Sequence, residues 1–273
     1  MKKWRFLLLI LHVLVVPVTT AQSIAGNEKV QDKVRKIENF DKVIVDGGIT
    51  MYLIPGDTAE LLVRTDENLD SIIATEIKDG TLRIYPTMYV RYFKTMEVYV
   101  TYAELKSQSA LEYSEIKADS LPDLHELTVS VDQGSKLNLN INAGLLNCTL
   151  SRASNAKING NIEDISLTIS GKSKINMDLQ ATNMQCNVNE NSKAILKGRC
   201  QNTQFIAIDG SNIYAIDLKT ENCKIKLNLG SDAEVYVSQN LKIFADDGSD
   251  VVYSGNPVRK EIDICEDCEV IAQ

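Results

Sequence analysis

The chain has 273 residues, with 29 basic and 37 acidic side chains, a formal net charge of −8, six cysteines and two histidines. An acidic surface repels phosphate backbones and releases no counterions on meeting them, so nucleic acid is excluded as the expected partner. The length suits one elongated domain or two small ones.

Lys2, Lys3 and Arg5 open the chain, an apolar stretch runs from Phe6 to Val18, and Thr19-Thr20-Ala21 comes next. This is the order of a secretory signal peptide, residues 1–21, and its apolar stretch is too short to span a bilayer. Cleavage before Gln22 leaves 29 − 3 = 26 basic residues against 37 acidic ones, a mature charge of 26 − 37 = −11. No later segment has the length and apolarity of a membrane span. The expected location is therefore periplasmic or extracellular, at the cell surface.

Residues 22–35 read as an N-terminal linker. Over residues 36–104, runs such as Lys42-Val43-Ile44-Val45, Glu60-Leu61-Leu62-Val63 and Met96-Glu97-Val98-Tyr99-Val100 are strands, with Pro55-Gly56-Asp57 and Lys78-Asp79-Gly80 as turns. This section is expected to cap or begin a solenoid over residues 105–273, because an uncovered first coil would expose an open edge.

Residues 105–273 are dominated by a repeat. A small polar turn recurs at Ser114, Ser135, Ser154, Ser173, Ser192, Ser211, Ser231 and Ser249, at spacings of 21, 19, 19, 19, 19, 20 and 18. Aligned on that Ser, apolar residues fall into columns. Six positions earlier stand Val129, Cys148, Leu167, Cys186, Phe205, Ile225 and Ile243, and two positions later Leu137, Ala156, Ile175, Ala194, Ile213, Ala233 and Val251. Their neighbours are mostly Thr, Ser, Asn, Gln and Lys, so each coil holds two period-two strands. Antiparallel neighbours would reverse the inward order, whereas one offset serves every coil. The sequence thus predicts an all-β protein with a single-stranded parallel β-helix of about nineteen-residue coils, right-handed by the default for parallel crossovers.

The chain also resembles a known family, the putative auto-transporter adhesin, head GIN domain family, found among secreted proteins of Bacteroidetes. The residues that carry the resemblance are Phe40-Asp41-Lys42-Val43, Asp46-Gly47-Gly48-Ile49-Thr50, Thr65-Asp66-Glu67-Asn68-Leu69, Val98-Tyr99-Val100-Thr101-Tyr102, the Gly-Ser turns and Val252-Tyr253-Ser254-Gly255-Asn256-Pro257. Thr50 stands where the family's Gly-Ile-Asn motif has Asn. The resemblance implies a β-helical fold in one domain over residues 36–273 and an extracytoplasmic location. It brings no catalytic residues.

The cysteines do not read as a framework. Cys148 and Cys186 share a column two coils apart, about 9.6 Å, beyond disulfide reach, and Cys223 is also inward. Cys200 has no evident partner, and Cys265-Glu266-Asp267-Cys268 reads as a local disulfide or two free thiols. With one His, His125, after the signal peptide, no metal or other cofactor is expected.

For function, outward positions that turn apolar in the later coils, Ile195, Tyr214, Ile216, Tyr236 and Val252, form the candidate interaction surface, joined by Ile206, Ile208 and Phe244 on the other strand. Tyr85, Tyr89, Tyr92 and Phe93 form a second aromatic group, read either as a ligand loop or as rings closing the end of the core. The expected activity is non-enzymatic binding of a glycan, an envelope component or a protein. A polysaccharide lyase, which needs a calcium-binding carboxylate cluster beside an Arg or Lys base, is one alternative, its nearest cluster being Asp232, Glu234, Asp246, Asp247 and Asp250 with Arg152 and Arg199 coils away, and a homodimeric scaffold is the other.

Overall fold

The computed structural model describes residues 23–119, 121 and 123–273. The expected signal peptide lies outside the described residues. Among them, no helix is long and apolar enough to cross a membrane.

The coils stack as a parallel β-solenoid of about nine turns. Strands Lys136–Leu150, Asn155–Ile169, Lys174–Val188 and Lys193–Ala207 pair in sequence, each residue facing the one nineteen further on. Each strand contains both runs of its coil. Pairing continues through a corner at which the inward phase changes, so that Leu137, Leu139 and Ile141 point to the core before the corner and Leu146, Cys148 and Leu150 after it. Every residue of the two aligned columns is buried.

The recurring Ser closes a tight turn. Gln133 and Gly134, Arg152 and Ala153, Glu190 and Asn191, and Asp209 and Gly210 are consecutive residues with positive φ, the type I′ geometry. The turns bond to one another, the Tyr113 N–H donating to Gln133 O at 3.0 Å, Gly134 to Arg152 O at 2.9 Å and Asn191 to Asp209 O at 2.9 Å. Each Ser then sits inside, with its N–H unable to reach a strand. That donor is satisfied by the next coil's hydroxyl: Ser154 to Ser173 Oγ at 3.1 Å, then Ser173 to Ser192, Ser192 to Ser211, Ser211 to Ser231 and Ser231 to Ser249, each at 3.2 Å. From Ser154 onward the buried backbone donor at each turn needs a hydroxyl that Ala would not supply, whereas the Ser114 and Ser135 N–H groups return to Leu111 O and Asp132 O of their own turns at 3.2 Å.

The N-terminal end departs from chain order. Strand Lys42–Val45 lies between Thr81–Pro86 and Ser107–Ala110, and Thr50–Pro55 between Met96–Tyr102 and Glu115–Ala118, all parallel. The terminal layer is therefore made by residues that come after the second layer in sequence. Antiparallel strands cover it: Glu60–Asp66 pairs with Met96–Tyr102 and with Val30–Lys36, and Ile73–Lys78 pairs with Thr81–Pro86. Strand Ser23–Ala25 pairs with Tyr89–Tyr92. Two strands thus occupy the stretch that reads as a linker. Val30–Lys36 is exposed on both faces apart from Arg35, so it leaves no alternating apolar pattern to read.

Asp66 fastens this end. It is fully buried and accepts the N–H groups of Glu28 at 3.0 Å, Lys94 at 3.2 Å and Thr95 at 3.2 Å. Asp70 is held by Lys33 at 2.6 Å and by Arg35 at 2.7 Å. At the other end, Arg259–Ile264 and Val270–Ala272 each pair on one side only, and Cys265 and Cys268 form a disulfide with Cα atoms 5.3 Å apart.

Candidate functional site

The site is built where the terminal layer breaks the turn rule. Val45 and Thr50 bracket the turn Asp46-Gly47-Gly48-Ile49, while in the layer beside it the matching brackets are Ile84 and Glu97. Residues 85–96 therefore stand where four residues stand below, and the surplus chain folds back over the stacked turns. Gly47 (φ +70°) permits this, since a Cβ there would lie 2.4 Å from Pro86 Cδ.

Between the overhanging segment and the turns lies a groove of about 820 Å³. Tyr85, Tyr89 and Phe93 line one side, and Glu112, Tyr113, Gln133 and Arg152 the other. Tyr113 occupies a left-handed turn position, and its ring lies on Gly134, where a Cβ would meet the ring at 2.7 Å. One face of the ring is thus supported by backbone, and the residue is 80% exposed, with Tyr89 across the groove at 69%. Rigid, half-supported aromatic faces are suited to stacking on an apolar or ring-shaped ligand surface.

Asp46 supplies the polar group of the groove. Its Oδ2 accepts from Arg83 Nη2 at 3.0 Å, whereas Oδ1 is buried without a protein hydrogen-bond partner. An unpaired buried carboxylate oxygen is costly unless a donor reaches it. Arg152 is spoken for, with two hydrogen bonds to Asp132.

Of the four residues singled out in this segment, three line the groove. Tyr85 is fixed by its hydroxyl, which donates to Glu76 Oε1 at 2.6 Å, and this hydrogen bond, with burial and the Glu76 charge, raises the phenol's pKa. Tyr92 turns away from the groove and donates to Glu28 Oε1 at 3.1 Å. The reading in which these rings close the core is corrected: Tyr89, Tyr92 and Phe93 are exposed, because the antiparallel strands already cover that end. Sequence reasoning missed Tyr113 and Asp46. Tyr113 carried a signal, a bulky ring in a turn position that several other coils give to Gly.

The later-coil residues are arranged differently. Ile195 faces Tyr214, but Glu234 separates Tyr214 from Val252, and Tyr236 pairs with Lys219. Ile216 falls in a shift of register between Ala215 and Lys219. All five are half-buried. Lys193 Nζ stands 5.0 Å from the Tyr214 ring centre and Lys219 Nζ 3.8 Å from that of Tyr236, so ammonium groups cover both rings.

Two carboxylates of the acidic cluster are engaged locally. Asp250 Oδ1 accepts the Glu269 N–H at 2.8 Å, and Asp246 Oδ1 accepts that of Asp247 at 3.0 Å. Burial raises the Asp232 pKa, with the facing Asp250 adding to the effect. Cys148, Cys186, Cys200 and Cys223 are free and buried, and burial pushes each thiol up to about 12. The one grouping of metal-type ligands among the described residues is Cys265, Asp267 and Cys268, whose two sulfurs are joined to each other.

A capped parallel solenoid with a ligand-sized groove over its turns defines the broad class, an extended surface-presenting β-protein. The chain belongs to the putative auto-transporter adhesin, head GIN domain family, whose sequence model matches residues 39–178 and again 161–257. Its Gly48-Ile49-Thr50 leads from the first tight turn into the next strand, with Gly48 at φ +81° and Ile49 fully buried at the position later filled by Ser. Among solved structures it is similar to a putative adhesin from Parabacteroides merdae, at 18% identity and TM-score 0.69 over 93% of this chain and 100% of the other. A putative adhesin from Parabacteroides distasonis aligns at 19% identity and TM-score 0.71 over 92% and 100%. A protein of the same species described as a putative lipid binding protein aligns at 17% and 0.65 over 92% and 100%. At these identities the likeness speaks for the fold. No curated protein matches the chain.

Proposed function

We propose that the protein is an exported, non-enzymatic binding module of the adhesion type, and that it holds a glycan in the groove beneath residues 85–93. The observation that carries this reading is Tyr113, an exposed ring that rests on Gly134 and lines the groove together with Tyr89. Sugar rings stack on such faces. Family membership supports an extracytoplasmic setting. The free cysteines are buried, and Asp246 and Asp250 of the acidic cluster accept backbone N–H groups, which supports binding over chemistry.

The test is a glycan array probed with the protein from Gln22 onward, beside a Tyr89→Ser/Tyr113→Ser variant and a Tyr214→Ser/Tyr236→Ser variant. The expected result is binding by the wild type and the later-coil variant, lost in the groove variant with melting unchanged. Loss only in the later-coil variant would move the site to that face. Cleavage of an arrayed glycan would replace the reading with an enzyme. Vesicle binding without glycan binding would favour the ligand class named for the third structural relative.

A further inference from the structure

A second groove, of about 850 Å³, runs along the stacking axis on another face of the later coils. One wall is a row of amides. Asn240 Nδ2 donates to Asn222 Oδ1 at 2.5 Å, Asn222 to Asn202 at 2.9 Å, Asn202 to Asn183 at 2.9 Å, and Asn183 to Asp164 Oδ1 at 2.7 Å. All the bonds point the same way, so the row has a polarity. It ends on the Asp164 carboxylate, and at the other end Arg259 is next in register after Asn240.

The opposite wall is the column Gln185, Gln204, Lys224 and Lys242, continued by Glu261. Lys242 pairs with Glu261 at 2.6 Å. Lys224 and Arg259 line the groove and enter no ion pair among the described residues, while Lys260, in register with buried Leu241, turns its Nζ to the Tyr253 hydroxyl at 3.5 Å. In a protein with 37 acidic and 29 basic residues, uncompensated cations gathered at one end of a polar groove are a local reversal of sign.

The geometry points to an acidic polysaccharide, lying along the axis, as the ligand of this groove. Each interior Asn uses one amide N–H and one lone pair in the row and keeps the others. The groove therefore repeats a donor and an acceptor at about 4.8 Å intervals. Such a row addresses a polymer with repeating hydroxyls, and the cationic end addresses its carboxylates. Single-stranded nucleic acid is disfavoured because no aromatic side chain lines the groove for bases to stack on. The inference is independent of the aromatic groove, which has no comparable set of unpaired cations.

Titration calorimetry with polygalacturonate oligomers and neutral xylo-oligosaccharides tests it. Wild type binds the acidic oligomer, more weakly as salt rises, and a Lys224→Glu/Arg259→Glu variant loses at least tenfold in affinity. Asn202→Ser, which breaks the row without changing charge, loses a few fold. The proposal is overturned by absence of binding, by equal affinity for the neutral oligomer, or by a charge-reversed variant that still melts and binds like wild type.

Discussion

From Ser154 onward the buried turn Ser meets its own copy one coil away, whereas at the N-terminal end the buried Asp66 and Asp70 meet partners of unrelated kinds. The Ser donors are answered by a Ser hydroxyl at every step from Ser154 to Ser249. At the N-terminal end, Asp66 gathers three unrelated backbone donors and Asp70 two unrelated cations. A repeated contact fails locally and is backed up by its neighbours, whereas a unique contact has no substitute.

The largest effect should come from removing packing in a coil. Phe205 is buried within its column, and Phe205→Ala is expected to cost about 3–5 kcal/mol in urea unfolding. A value below about 1 kcal/mol would mean that the coils re-pack freely and that the stacked columns do not specify the solenoid.

Asp66→Ala comes next, at about 3 kcal/mol, since three backbone donors lose a charged acceptor. The loss should be regional. Hydrogen exchange is expected to rise in residues 23–36 and 93–102 and to stay unchanged beyond Ser135. Uniform loss of protection along the coils would show that the two regions unfold as one unit.

Ser192→Ala sits below these, at about 1–2 kcal/mol, because it leaves the Ser173 N–H buried without an acceptor. Only the adjoining coils should exchange faster. Asn202→Ser should fall within about 0.5 kcal/mol, since water can replace the exposed amide's partners. Stability and binding are thus separable on the amide row.

Acid distinguishes the regions by sign. At Asp70, burial raises the carboxyl pKa, but hydrogen bonds from Lys33 and Arg35 outweigh it and leave the value below 3.8. Asp32 and Asp41 are lowered by hydrogen bonds from Arg64 and Lys106. A depressed folded-state value stabilises above the unfolded pKa and is lost as pH falls through the folded one. Asp232 is raised by burial, so protonation there relieves a cost. Below about pH 4, exchange should quicken first in residues 30–78, and Asp70→Asn should remove much of that dependence.

Legibility in the sequence divides along the same line. The coils were legible because one nineteen-residue offset sets core, turn and buried Ser at once. The N-terminal topology was not, because strands Lys42–Val45 and Thr81–Pro86 are adjacent in space without sharing a repeat, and Val30–Lys36 lacks a buried face. The aromatic groove was half legible. Tyr85, Tyr89 and Phe93 stand together in sequence, but Tyr113 reaches them only through the stacking of turns. Composition made Ile195, Tyr214 and Tyr236 conspicuous, yet it does not reveal the lysines lying over the rings.

Because register advances one coil at a time, the solenoid is also a ruler. The aromatic groove ends at the turn of Arg152 and Ala153, and the unpaired cations begin at Lys224. A whole extra coil spliced between Ser173 and Ser192, with its own Asn at the row position, would lengthen the amide row by one step and set those two points about 4.8 Å further apart. Coil number, independent of the chemistry of either groove, would then fix which ligands can engage both at once.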